Sequence, residues 1–181
     1  MSVTHCCCSN CRPSNVSAED YCVAKPSIFT DREAAFLRAL VRQKVDFMIV
    51  GLSAATLQGA PAVTQDIDLW FRDLSQPGLR KALDKVGGIF VSATAHTPPQ
   101  LAGDAVALFD IVTHMHGLRS FDEEAAAAAS VLLGGVKVKV LPLARIIASK
   151  KALNRPKDRR ILSVLKDAMT TAQGRPQERS S

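Results

Sequence analysis

The sequence predicts an α/β domain: a mixed β-sheet flanked by helices, with two further helices at the C-terminal end. Three observations carry this. Segments with apolar residues at helical spacing alternate along the chain with short strand-like segments. The strand-like segments are of different kinds, one a continuous apolar run (DFMIV) and others two-faced (DIDLWF and VKVKVL). Two late helical segments each open on a proline, Pro142 and Pro156. With 181 residues and 47% hydrophobic content, the chain can bury one real core, which excludes a wholly disordered protein.

The elements follow in order. Thr30-Asp31-Arg32-Glu33 reads as a capping box, and Phe36, Leu37, Leu40 and Val41 then recur at helical spacing, giving a helix over 30–44. Residues 46–50 form a buried strand that ends at Gly51, and a second helix over 53–58 stops at Gly59-Ala60-Pro61. In the strand over 66–71, Ile67, Leu69 and Phe71 alternate with Asp66, Asp68 and Trp70. Leu79, Ala82, Leu83 and Val86 mark a helix over 77–86 that stops at Gly87-Gly88. A short strand is expected over 89–91, a loop over 92–103 and a strand over 105–114. The Ala-rich stretch 121–130 reads as helix, and 136–141 as a half-exposed edge strand.

The first 27 residues hold all five cysteines and lack the basic-then-apolar layout of a signal peptide. They predict a disordered leader over 1–27 of a cytoplasmic protein, with reduced thiols; Cys8 and Cys11 form one CxxC without the second ligand pair of a closed zinc site. The domain is expected over 28–170 and a basic, flexible tail over 171–181. The net charge of +6 is concentrated late: residues 143–181 carry ten basic and three acidic side chains. That asymmetry predicts an anionic ligand. Aromatic content of 5% disfavours a dedicated single-strand nucleic-acid binder, and no stretch is long enough to span a membrane.

Residues two apart on a strand share a face, so Asp66 and Asp68 sit about 6–7 Å apart at Cα and converge on one site. Two carboxylates about 4 Å apart repel by about 4 kcal/mol at an effective dielectric near 20, which favours a bound cation or protonation. All-oxygen donors suit magnesium, which also holds nucleotide phosphates. Asp110, interrupting an apolar strand, is the candidate third ligand; the bland alternative leaves all three aspartates in solvent. Further on, Leu143, Ile146 and Ile147 define an inward stripe that continues to Lys150, and Ile161, Leu162 and Leu165 extend back to Asp158. Two readings stand: an interhelical ion pair, or a Lys150 ammonium on phosphate oriented by Asp158. The amides of Gly51, Leu52 and Ser53, at a helix start, suit phosphate oxygens. Trp70 shares the aspartate face and reads as packing before base stacking, and His114 and His116 as solvated before metal-binding.

The string IVGLSAATLQGAPAVTQDIDLWF resembles the minimal nucleotidyltransferase fold of the polymerase-beta-like superfamily, whose pattern is a hydrophobic-Gly-[Gly/Ser] turn followed a dozen or so residues on by Asp-x-Asp. The closing KKALNRPKDRRIL is similar to the K-x-A-x-x-R-x-K-D ending of small prokaryotic members, including nucleotidyltransferase toxins of abortive-infection toxin and antitoxin pairs. The resemblance implies a nucleotidyltransferase-like domain that moves a nucleoside monophosphate from a nucleoside triphosphate (NTP) to an acceptor hydroxyl of RNA, protein or a small molecule, using two magnesium ions. An antitoxin-like partner is also implied. Asp66, Asp68 and Asp110 would be catalytic and hold the metal, with Asp110 helping to activate the acceptor oxygen. Gly51, Leu52, Ser53, Lys150 and Asp158 would form the nucleotide site. Leu52 departs from the pattern's Gly or Ser, and Ala62 stands where relatives often carry arginine. Two alternatives therefore stay open: a catalytically degenerate binding module of the same fold, or a basic nucleic-acid-binding protein.

Overall fold

The computed structural model describes residues 30–173. The predicted leader therefore lies outside the described residues, as does the tail beyond Gln173. Thr30 caps the first helix, α1 (Asp31–Arg42), accepting from the Arg32 amide while the Glu33 side chain accepts from the Thr30 amide. Strand β1 (Phe47–Ile49) follows, wholly buried as its apolar run requires, then α2 (Gly51–Leu57) and β2 (Ile67–Phe71). The chain continues through α3 (Pro77–Val86), β3 (Ile89–Val91), β4 (Gln100–Ala102) and β5 (Phe109–Val112). It closes with α4 (Phe121–Ala126), β6 (Ala129–Leu133), β7 (Val136–Val140), α5 (Leu143–Leu153) and α6 (Pro156–Gln173).

Five strands form one mixed sheet in the order β5-β2-β1-β7-β6, as the interleaved pattern predicts. β1 runs antiparallel to β2 and parallel to β7, β2 runs parallel to β5, and β6 is antiparallel to β7. On one face, Phe36 of α1 meets Phe109 of β5 edge-on at 5.0 Å between ring centroids, and α3 packs beside α1. The other face carries Asp68, Trp70, Asp110 and Val112 by strand alternation and is partly covered by α5, which packs on α2 and α6. The core runs between these layers through Phe36, Leu40, Met48, Leu69, Leu141, Ile146 and Leu165, all essentially inaccessible.

Several expectations are corrected. The helix predicted over 121–130 ends at Ala126, and the chain returns as β6, paired residue for residue with β7 through Gly134-Gly135. Both glycines have positive φ (54° and 82°), the requirement of a two-residue hairpin loop. β7 is consequently an interior strand and not an edge: its exposed lysines occupy the uncovered face, while β6 and β5 form the rims. The predicted loop 92–103 contains β4, held by β3 in a separate two-stranded sheet. The strand expected over 105–114 is confined to β5, which leaves His114 and His116 beyond its end, where strand parity no longer places them.

Candidate active site

The site begins where β1 turns into α2. Gly51 opens that helix at φ 65°, a left-handed conformation costly for any residue with a Cβ. Space imposes the same choice, because a Cβ on Gly51 would collide with Asp68 Oδ2. The Asp68 carboxylate thus lies directly over the glycine. Leu52, half-buried, lines the cleft described below. Ser53 does not reach it: its side chain is fully buried and its hydroxyl donates to the Val50 carbonyl at 3.0 Å.

Asp68 and Asp110 are register partners on the parallel strands β2 and β5, and therefore side by side on one face. Asp66 precedes β2 and is exposed, as is Asp110; the predicted burial of Asp110 fails because β5 is a rim strand. Asp68 is more enclosed. Burial, and secondly the neighbouring Asp110 carboxylate, push its pKa up to about 6, against the pull of Lys150.

Across from the aspartates stand the C-terminal helices. Lys150 Nζ donates to Asp158 Oδ1 at 3.0 Å, and Arg155 Nε to Asp158 Oδ2 at 2.6 Å. Asp158 is almost fully buried. Burial alone would raise its carboxyl, but the hydrogen bonds from Arg155 and Lys150 outweigh that and hold it below the usual carboxylate range. Both carboxylate oxygens are engaged by these cations, so Asp158 fixes the basic wall. The ion pair and the cleft-facing lysine, alternatives in sequence, coexist.

Two spaces meet at this point. A cleft of about 560 Å³ is lined by Leu52, the three aspartates Asp66, Asp68 and Asp110, and the basic side chains Lys150, Arg155, Lys157 and Arg160. A hollow of about 300 Å³ lies between Gly51, Val112 to His116 and α5. Asp68, Lys150 and Arg155 belong to both. The rings of His114 and His116 lie 4.9 Å apart, edge to face, and both are exposed at the hollow. Trp70 is buried against Phe121 of α4 at 5.4 Å and serves the core, as its packing reading predicts. Arg155, Lys157 and Arg160 take no role in the sequence reading, although the first two lie in the K-x-A-x-x-R-x-K-D string and could have been found there.

The donor chemistry of the cleft suits a hard cation. Among the described residues, no three His, Cys, Asp or Glu side chains form a cage for a metal ion. Asp66, Asp68 and Asp110 line a common cleft without closing on one point. This arrangement fits magnesium, which keeps several waters and is typically held by one or two carboxylates together with substrate phosphates. Counting Asp158, four aspartates face four lysines and arginines in the cleft, so a triphosphate has no net positive charge to meet there unless divalent cations accompany it.

A five-stranded mixed sheet, its helical layers and the two C-terminal helices define a nucleotidyltransferase-like fold. The chain is similar in structure to ANT(2")-Ia, known from its crystal structure in complex with adenylyl-2"-tobramycin. The TM-score is 0.51 at 16% sequence identity, over 76% of this chain and 85% of that one. At that identity the likeness speaks for the fold alone. No protein-family model matches the chain, and no curated protein matches it in a sequence search. No helix among the described residues is long and apolar enough to cross a membrane.

Proposed function

We propose that this protein is a magnesium-dependent nucleotidyltransferase that transfers a nucleoside monophosphate from an NTP to an acceptor hydroxyl. One observation carries the reading: a single cleft sets Asp66, Asp68 and Asp110 opposite Lys150, Arg155, Lys157 and Arg160 beside a glycine turn that no larger residue can occupy. The fold shared with ANT(2")-Ia, whose structure holds an adenylylated compound, supports the same class of chemistry.

In this reading the basic wall binds the β- and γ-phosphates, and Asp158 keeps Lys150 and Arg155 extended toward them. The turn at Gly51 and Leu52 borders the triphosphate. The acceptor oxygen forms a bond to the α-phosphorus as the bond to the pyrophosphate oxygen breaks. The hydroxyl proton passes to Asp110, and pyrophosphate leaves along the basic wall. Magnesium held by one or two of these carboxylates, Asp68 and its register partner Asp110 foremost, with Asp66 lining the same cleft, would supply charge neutralisation at the phosphates. An antitoxin-like partner, implied by the C-terminal resemblance, has no observation of the fold behind it.

The degenerate-module reading has its own observation: Leu52 projects into the cleft, and Ala62, buried, puts no cation where relatives often carry one. Incubation with α-labelled NTP and magnesium, wild type beside Asp66→Asn and Asp68→Asn, separates the two. Labelled product from the wild type alone supports the transferase. Equal labelling, or silence in all three, refutes it, and nucleotide binding without turnover then selects the degenerate module. Steeply salt-dependent RNA or DNA binding with no nucleotide binding selects the basic nucleic-acid binder instead.

A further inference from the structure

The main sheet ends on β6, whose outer edge meets no strand among the described residues. The opposite rim is different. There β5 carries the exposed Asp110 and has β4 packed beside it, so charge and cover blunt that edge. β6 has none of the charged residues, prolines or bulges that natural edges use against pairing. Residues 125–135, AAAAASVLLGG, hold no charge and no proline, and the strand is matched residue for residue to β7. Leu132 stands 71% exposed on it. β6 packs chiefly on β7, with Val131 and Leu133 only half-buried and Ala129 exposed.

An open, neutral edge of this kind is a template for a further strand. The pattern of β6 suits a second copy of itself. Its five residues can lie antiparallel on their copies with Val131 at a twofold axis, which sets Val131 against Val131, Ser130 against Leu132 and Ala129 against Leu133. Side-chain parity is preserved. Ala129, Val131 and Leu133 share the face of the buried Val138 and Val140, so apolar meets apolar on the core side, while Ser130 and Leu132 share the face of Lys137 and Lys139. Charge agrees as well. Lys139 and the other copy's Lys137 fall in one row but on strands three spacings apart, about 14 Å, beyond the Debye length of about 8 Å at physiological salt.

We infer that β6 is a dimerisation edge, at which two copies of this chain join antiparallel about Val131 into one continuous sheet. The aspartate strands β2 and β5 lie at the far ends of that sheet, so the two clefts are independent. A five-residue edge buries less than a permanent interface does, and the dimer is accordingly concentration-dependent, with a Kd of about 1–100 μM.

Sedimentation equilibrium of the full chain in reductant, which keeps the native cysteines from linking copies, should show a monomer–dimer equilibrium in that range. Val131→Lys puts like charges directly opposite each other at the axis and should raise the Kd by about tenfold or more, with the circular dichroism spectrum unchanged. Val131→Cys, oxidised and mapped by peptide mass spectrometry, reports the register. Directly opposite residues have Cα atoms about 4.5–5.5 Å apart, within disulfide range, so a 131–131 link between copies is expected. Ser130→Cys should give no 130–130 link, because those positions are diagonal neighbours about 7–8 Å apart. A chain that stays monomeric throughout overturns the inference. So does a dimer whose Kd is unmoved in a folded Val131→Lys variant, or a link at 130 with none at 131. Should Val131→Lys lose its folded spectrum, the presence or absence of the 131–131 link decides.

Discussion

Replacing Asp68 by Asn is expected to stabilise the metal-free protein while removing its activity. Burial and the adjacent Asp110 raise the Asp68 pKa from the usual 3.8 to about 6. Between those values the unfolded chain has released the proton and the folded protein still holds it, so folding stability falls as pH rises through this window. Two units at about 1.4 kcal/mol each give about 3 kcal/mol of lost stability, an upper value because the side chain keeps some contact with solvent. Asn carries no charge at any pH and escapes the loss. Urea denaturation in EDTA should therefore show the two proteins nearly equal at pH 3.5 and Asp68→Asn more stable at pH 7.5 by up to about 3 kcal/mol, or about 2–4 °C in Tm for each kcal/mol. Magnesium and nucleotide should close that gap by stabilising only the wild type. An Asp68→Asn variant no more stable than wild type at pH 7.5 in EDTA would refute the assignment of Asp68 as an enclosed carboxylate waiting for a cation.

Other consequences are equally open to measurement. Gly51→Ala forces a Cβ into the left-handed region and against Asp68, and should cost about 1–3 kcal/mol by urea denaturation together with nucleotide affinity; an unchanged midpoint contradicts the turn geometry. Asp158→Ala leaves Lys150 and Arg155 without their shared partner and should cost about 3 kcal/mol. Because the Asp158 pKa is held below its unfolded value, its contribution is present above about pH 4 and is lost as pH falls further; acid titrations of wild type and variant should converge there. Trp70→Ala should cost about 3–5 kcal/mol yet leave the Kd for nucleotide unchanged, whereas a base-stacking role would weaken binding at constant stability. Leu52→Ser opens the cleft and should tighten nucleotide binding by about tenfold by calorimetry; no change would show that the leucine does not obstruct it.

Periodicity was enough to place α1, α3, α5 and α6 and to identify the buried β1 and two-faced β2, because each has a long stripe, a strict alternation or an unbroken apolar run. It failed where two signals competed. The run AAAAAS favours helix by propensity, yet the Gly134-Gly135 hairpin recruits Ala129 and Ser130 into β6 through ladder bonds to β7, a tertiary override invisible to a local window. Ser53 shows the same limit on a smaller scale. A serine beside a glycine turn matches a phosphate site in sequence, but the backbone carbonyl of Val50 claims its hydroxyl. Lys150 and Asp158 were legible because each breaks an apolar stripe. Arg155 and Lys157 break no stripe, since charged residues around an exposed helix start look the same whether they face solvent or a cleft, and only the K-x-A-x-x-R-x-K-D string could have singled them out. Ser149 lines the hollow together with Val112, His114, Met115 and His116, a placement that no local window shows.

The most direct measurement is a crystal structure of the full chain with magnesium and a non-hydrolysable NTP analogue. The triphosphate should lie between the aspartates Asp66, Asp68 and Asp110 and the cations Lys150, Arg155 and Lys157, with metal density on the aspartate side. An analogue bound elsewhere, or a cleft left empty at saturating nucleotide, would contradict the assignment of this cleft to nucleotidyl transfer.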